Sequence, residues 1–200
     1  MSIYKNLLGE SYERLHPKLQ ERYSFQESSV FHAKGVMSEI KGAKKWMYPF
    51  MLLLTRWNFI FPESGRDIPF DLVNRVYERP DGIEEVKWER IFFFPKVTRR
   101  FHAQMTIDSQ RNVVRDYLGE PSLFYSDLIF RVTNQGTLAI TSASQKLVMG
   151  RIEILLPKVL QGNVEVIEGY DDIKEAYTIH VKISNRLVGD LLSYKGTFRK

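Results

Sequence analysis

One arginine interrupts an apolar alternation in the segment VKWERIFFF. Val86, Trp88, Arg90, Phe92 and Phe94 fall on one side of a strand of period two. A guanidinium on such a face is costly to bury without a partner. Two arrangements satisfy it. Arg90 bonds internally, to Glu78, Asp127 or another acid, or snorkels to a rim; alternatively it faces a partly apolar cavity and clamps an acidic head group, with Tyr125 or Tyr177 beside it. Internal pairing is the commoner arrangement in proteins. The segment SLFYSDLIFRV is the natural counterpart: Phe124, Ser126, Leu128, Phe130 and Val132 share one face, and Leu123, Tyr125, Asp127, Ile129 and Arg131 the other. With the aromatic residues of an apolar stretch upstream, the candidate ligand-binding set is Trp46, Phe50, Trp88, Arg90, Phe92, Tyr125, Asp127 and Tyr177. An isomerase- or cyclase-like enzyme would draw on Asp127, Arg90 and a tyrosine in the same cavity, since acid–base work requires groups within hydrogen-bond reach of one substrate.

Other chemistries have weaker support. His16, His32, His102 and His180 lie on four separate predicted elements, without ligand partners at close spacing, so no metal is expected. Ser122, Ser126, Ser142 and Ser144 lack the strand-to-helix elbow of a serine nucleophile. The acidic pairs Glu84-Glu85 and Asp171-Asp172 sit in apparent turns, where neighbouring carboxylates are solvated. No glycine fingerprint for a nucleotide phosphate occurs, and no cofactor is implied. The chain has no cysteine, which excludes disulfides and thiolate chemistry.

The formal net charge of +5 is spread over local clusters at Lys41-Lys44-Lys45, Arg99-Arg100 and Lys195-Arg199-Lys200. No recognition helix, RNP motif or zinc finger accompanies it, so nucleic acid is not an expected partner. The N-terminus lacks the basic-then-apolar pattern of a signal peptide, and no stretch is long enough for a transmembrane segment. A cytoplasmic location is the expectation.

These residues need elements to hold them. The first 25 residues read as short helices, SIYKNLL ending at Gly9 and SYERLHPKLQERYS limited by Pro17. From Val30 the period changes to that of strands, with turn clusters at PDG, DSQRN, GEP, TNQG, YDD and SNR. Short turns between successive strands imply an antiparallel meander. About eight to ten strands would curl or close to hide their edges. In GRIEILLPKVLQGN, residues Arg151 to Leu155 read as strand, and Pro157 opens a short turn that Gly162 ends.

Between the first two strands lies WMYPFMLLL, Trp46 to Leu54, uncharged and flanked by Lys44-Lys45 and Arg56. As a helix it would rise only about 13 Å, against a hydrocarbon layer of about 30 Å, so it cannot span a bilayer. Apolar side chains on nearly every face predict burial, as a core plug or the wall of a lipid-sized pocket. The basic flanks admit a third arrangement, an anchor lying on anionic lipid. Burial is the preferred expectation.

The order of landmarks resembles bacterial domain-of-unknown-function family 4166. The likeness is carried by YKNLLGESYERLHPKLQERY, Ile68-Pro69, WERIF, Gly119 with Pro121, GRIEILLPKVLQG and YTIHVKISNRLVGDLLSYKGTF. This chain departs from the family pattern around KGAKKWMYPF, usually richer in arginine and glycine, and at Thr197-Phe198, where tryptophan is usual. The resemblance implies a bacterial protein, stand-alone or fused behind a saccharopine-dehydrogenase-like oxidoreductase. It carries no catalytic residues onto this chain.

The expected molecule is therefore α+β, a single domain over residues 1–200. It is a strongly curved antiparallel sheet or open barrel of about eight to ten strands, with N-terminal helices and one apolar helix inserted between the first two strands. Its expected role is non-enzymatic binding of a hydrophobic or amphipathic small molecule; an enzyme in the same cavity, or an accessory domain for an oxidoreductase partner, are the alternatives.

Overall fold

The alternating segments form strands that close on themselves. The computed structural model describes residues 3–24 and 30–200. Ser2 and Phe25, at the margins of the helical stretch expected from the sequence, lie outside the described residues. Helix α1 (Ile3–Leu8), a 3-10 segment (Gly9–Arg14) and helix α2 (Pro17–Tyr23) precede β1 (Val30–Gly42). The apolar insert follows as helix α3 (Tyr48–Leu54), flanked by single 3-10 turns. Then come β2 (Ile68–Glu78), β3 (Glu84–Phe94), β4 (Val97–Asp108), β5 (Val113–Gly119) and β6 (Ser122–Val132). The series ends with β7 (Leu138–Met149), β8 (Ile152–Leu155), β9 (Gly162–Asp171), β10 (Ala176–Asn185) and β11 (Gly189–Arg199).

Neighbouring strands pair in the order β6-β5-β4-β3-β2-β1-β11-β10-β9-β7-β8, and β6 also pairs with β7. That extra pairing closes a ten-stranded antiparallel barrel. Strand β8 hangs from β7 outside the ring. Closure removes the sheet edges that an open meander would expose.

Where the first and last strands meet, backbones approach closely. A Cβ at Gly35 would lie 2.0 Å from the Thr197 carbonyl oxygen, and one at Gly196 would lie 2.2 Å from that of Val36. Only glycine fits at either position. The adjoining wall is aromatic: Phe92 packs on Phe61, Phe70 and Tyr194 with centroids 4.9, 5.0 and 5.2 Å away.

The two barrel ends are covered differently. At the end holding the β6–β7 and β9–β10 turns, α1 and α2 form a plug. The His16 amide donates to the Gly136 carbonyl at 2.9 Å, and the His16 ring stacks on Tyr170 at 5.1 Å. Tyr4, Tyr12, Leu15, Leu19 and Tyr23 are buried beneath. Pro17 opens α2 rather than breaking it, with the His16 side chain accepting from the Lys18 amide.

Helix α3 covers the opposite end. The Glu120 amide, in the β5–β6 turn, donates to the Trp57 carbonyl, and the His102 amide donates to that of Asn58. Asn58 caps the segment in the left-handed conformation, φ 48°. Here the burial expected from composition is corrected. Met47, Met51 and Leu54 face inward at helical spacing, but Trp46, Tyr48, Phe50, Leu52 and Leu53 are exposed. The insert spans the mouth as a lid instead of filling the hollow.

Candidate functional site

Beneath the lid a cavity of about 340 Å³ remains inside the barrel. Strand alternation determines its lining, since every second residue of β3, β5, β6, β9 and β10 points to the axis. Most of the wall is apolar, from Leu72, Phe101, Leu118, Leu128, Ile140 and Val181 among others. Met51 and Leu54 of α3 close the top.

Three acidic or basic side chains break this wall: Arg90, Asp116 and Glu168. They differ in how they are satisfied. Glu168 is fully engaged with the plug. Its carboxylate meets Arg22 at 3.2 and 3.3 Å and accepts from the Tyr23 hydroxyl at 2.7 Å. The Arg22 side chain is wholly buried, and the rings of Phe31 and Phe198 lie 4.9 and 4.8 Å from its guanidinium carbon. This ion pair fastens α2 to β9.

Arg90 is less well provided for. Nε donates to the Phe101 carbonyl at 3.1 Å and Nη1 to the Tyr194 hydroxyl at 3.5 Å, while the guanidinium lies 4.1 Å from the Phe101 ring centroid. Among the described residues, Nη2 is buried with no hydrogen-bond partner. The internal acid beside it is Asp116, rather than Glu78 or Asp127. Burial pushes the Asp116 carboxyl up to about 7, and the positive charge of Arg90 only partly offsets this. Asp116 Oδ1 is likewise buried without a partner among the described residues.

A polar row continues from Asp116. Cross-strand register places Asp116 beside Ser126 and Ser126 beside Gln145, on β5, β6 and β7. Gln145 accepts from the Gly162 amide at 2.6 Å and donates to the Gly162 carbonyl at 2.7 Å. Ser142 accepts from the Val164 amide at 2.9 Å and donates to the same Gly162 carbonyl at 3.1 Å. Backbone pairing of β7 with β9 covers Leu138 to Thr141 only. Beyond it, these two side chains carry the barrel seam.

Of the residues singled out by sequence, Phe50, Trp88, Arg90 and Tyr125 line the cavity. Trp88 Nε1 donates to the Tyr4 hydroxyl at 3.2 Å. Phe92 packs in the aromatic wall. Tyr177 stacks on Phe198 at 5.3 Å near the plug and donates to the Lys18 carbonyl. Trp46 stands on the lid, 66% exposed.

Asp127 belongs to a separate network, receiving two hydrogen bonds from Arg111 at 2.8 and 3.0 Å. Arg111 also reaches the Tyr125 hydroxyl and Asp108, and hydrogen bonds donated by Arg111 and Arg115 to Asp108 hold its carboxyl far below the usual range. The trio of Asp127, Arg90 and a tyrosine is not assembled. Among the described residues, no three histidine or carboxylate side chains are grouped as metal ligands. Asp116 and Glu168 escaped notice although they were legible: Val114, Asp116 and Leu118 alternate on β5, as do Val164, Val166 and Glu168 on β9.

Comparison with known proteins adds two findings. A family model described as a domain of unknown function (DUF4166) matches residues 15–198. An uncharacterised protein of Bacillus subtilis (strain 168), YndH, is 39% identical over 199 residues, covering 100% of this chain and 97% of the relative.

Proposed function

The chain belongs to the DUF4166 family, whose description assigns no activity, and from the cavity itself we propose that it binds an amphipathic small molecule inside the barrel. The apolar body lies against Leu118, Leu128 and Val181 beneath the lid, and a small acidic or hydroxylated head group reaches Arg90. One observation carries this reading. Arg90 and Asp116 both belong to the largely apolar lining of the cavity, and each carries a buried polar atom without a hydrogen-bond partner among the described residues. Native interiors seldom leave such atoms without a partner, and a bound head group supplies one. The volume falls in the range of small-molecule sites, about 300–1,000 Å³.

Solvent extraction of the purified protein, followed by mass spectrometry, tests the reading together with titration of a fluorescent fatty-acid analogue. Arg90→Met should weaken binding of the analogue roughly tenfold or more, the value of a charge-assisted hydrogen bond of about 1.5–3 kcal/mol. The fold should tolerate the change, because Asp116 takes up a proton once its cationic neighbour is gone. A protein that emerges empty and takes up no analogue overturns the proposal.

Asp116 also favours a second reading, an enzyme of isomerase-like type. A carboxyl at about 7 inside a cavity suits proton abstraction and return near neutral pH. Asp116→Asn separates the two: it would abolish turnover yet preserve binding. Service as an accessory domain to an oxidoreductase rests on family resemblance alone and has no support in the site.

A further inference from the structure

The lidded end of the barrel gathers exposed apolar side chains and positive charge around one mouth. Phe50, Leu160 and Leu187 line the cavity, yet they are 56, 56 and 65% exposed. They come from α3, from the β8–β9 connection and from the β10–β11 turn, so three separate segments raise apolar side chains around one mouth. Trp46 in the 3-10 turn before α3, Leu53 on α3 and Val159 beside Leu160 extend that rim outward. Exposing so many apolar groups to water is unfavourable unless something covers them.

Charge indicates what that something is. Residues 43–60, 156–161 and 186–188 contain Lys44, Lys45, Arg56, Lys158 and Arg186 and no acidic residue. All five are exposed. The formal charge of the whole chain is +5, so the remainder balances at zero. Several other lysines are matched by carboxylates, Lys41 and Lys195 by Glu39, Lys182 by Asp190 and Lys87 by Glu120. Lys44 lies beside Gly189, its Nζ 3.6 Å from where a Cβ would stand, so the basic N-terminal flank of α3 adjoins the rim of the β10–β11 turn.

The structure assigns this end a docking role: the mouth seats on an anionic lipid bilayer, with Trp46, Phe50, Leu53, Leu160 and Leu187 entering the headgroup boundary and the five cations meeting lipid phosphates. Tryptophan and lysine on one face suit that depth, where one group wants an apolar environment and the other a negative surface. No helix among the described residues is long and apolar enough to cross a membrane, so the contact is peripheral. Docking there would open the cavity directly toward lipid, which names the source of the amphiphile. That last step rests on the cavity reading, whereas the docking itself does not.

Co-flotation with vesicles tests it, using phosphatidylcholine alone against equal parts phosphatidylcholine and phosphatidylglycerol. The full-length protein should float with the anionic vesicles, shift Trp46 emission to the blue, and release at about 1 M salt, where screening acts within about 3 Å. Lys44→Glu with Lys45→Glu should lower the partition at least tenfold, as should Trp46→Ser with Leu53→Ser. Lys18→Glu with Lys174→Glu makes the same change of net charge at the plugged end and should leave the partition within twofold. Equal flotation with neutral vesicles, no flotation, or equal loss in both charge-reversed proteins overturns the proposal. So does a stable dimer in which Trp46 is shielded, which would make a second copy the occupant of this face. Extraction of the unaltered protein reports the ligand independently: if docking persists while no amphiphile is found, the cavity reading alone has failed.

Discussion

The two ends of the barrel use similar materials to opposite effect. Each is covered by a short helical segment rich in tyrosine, leucine or methionine. At the plugged end, α1 and α2 place Tyr4, Leu19 and Tyr23 at full burial and lock them with the Arg22–Glu168 pair. At the lidded end, α3 buries only Met47, Met51 and Leu54 and is held through backbone hydrogen bonds at its C-terminal margin. The cost of opening an end scales with the apolar area and ion pairs that must be surrendered. A ten-stranded barrel has two possible entrances, and this difference leaves one of them usable. The elements with least buried surface are those that open locally first.

Breaking the pair at the plugged end should have the largest effect. Arg22→Met leaves Glu168 buried without its counter-charge, and the expected loss is about 3–5 kcal/mol in urea denaturation. An equal loss from changes on the outer face of α3 would erase the distinction between the ends. Truncation of packed side chains sharpens the same contrast at smaller scale. Leu19→Ala in the plug should cost about 2–5 kcal/mol, whereas Leu53→Ser on the outer face of the lid should shift stability by no more than about 0.5 kcal/mol.

A pH-dependent effect concerns the charge between the two ends. Asp116 titrates at about 7 when folded, against 3.8 for the free side chain. Between these values the folded state holds a proton that the unfolded chain has released. Stability from this group is therefore present at acid pH and is lost as pH rises from roughly 4 to 7, with a slope of up to about 1.4 kcal/mol per pH unit. Above that window no further change arises from it. Asp116→Asn should flatten the slope in denaturation curves recorded across the window. An unchanged slope would show that the carboxyl is solvated, and the polar floor of the cavity with it. The same titration acts on ligand: an anionic head group on Arg90 should bind more weakly above about 7, where ionised Asp116 competes for the guanidinium.

Strand alternation made much of this architecture legible. It located the strands, their antiparallel order and the inward direction of Trp88 and Arg90, because a side-chain period of two survives whatever the tertiary context. The same reasoning extended to β5 and β9 would have found Asp116 and Glu168. Arg22 was hidden, since a helix of two turns opened by proline presents too few residues to define a buried face. Asp127 was paired with the wrong region because its partner, Arg111, lies in the turn DSQRN, and bonds from a turn follow no period. The exposure of α3 could not be read from composition at all. Hydrophobicity reports a preference to leave water; it does not say whether the escape is into the protein's own interior or into something else.

The seam between β7 and β9 has a consequence for how the wall itself behaves. Gly162 and Val164 owe their amide partners to Gln145 and Ser142, so opening here requires rotamer changes at two side chains and not the unzipping of a ladder. The barrel is thus joined by backbone ladders at nine of its ten joints, while at the tenth the ladder covers only Leu138 to Thr141 and two side chains complete it. Deuterium should enter at Gly162 and Val164 sooner than at neighbouring strand amides, marking a slit beside the mouth through which the hollow can widen without the molecule coming apart.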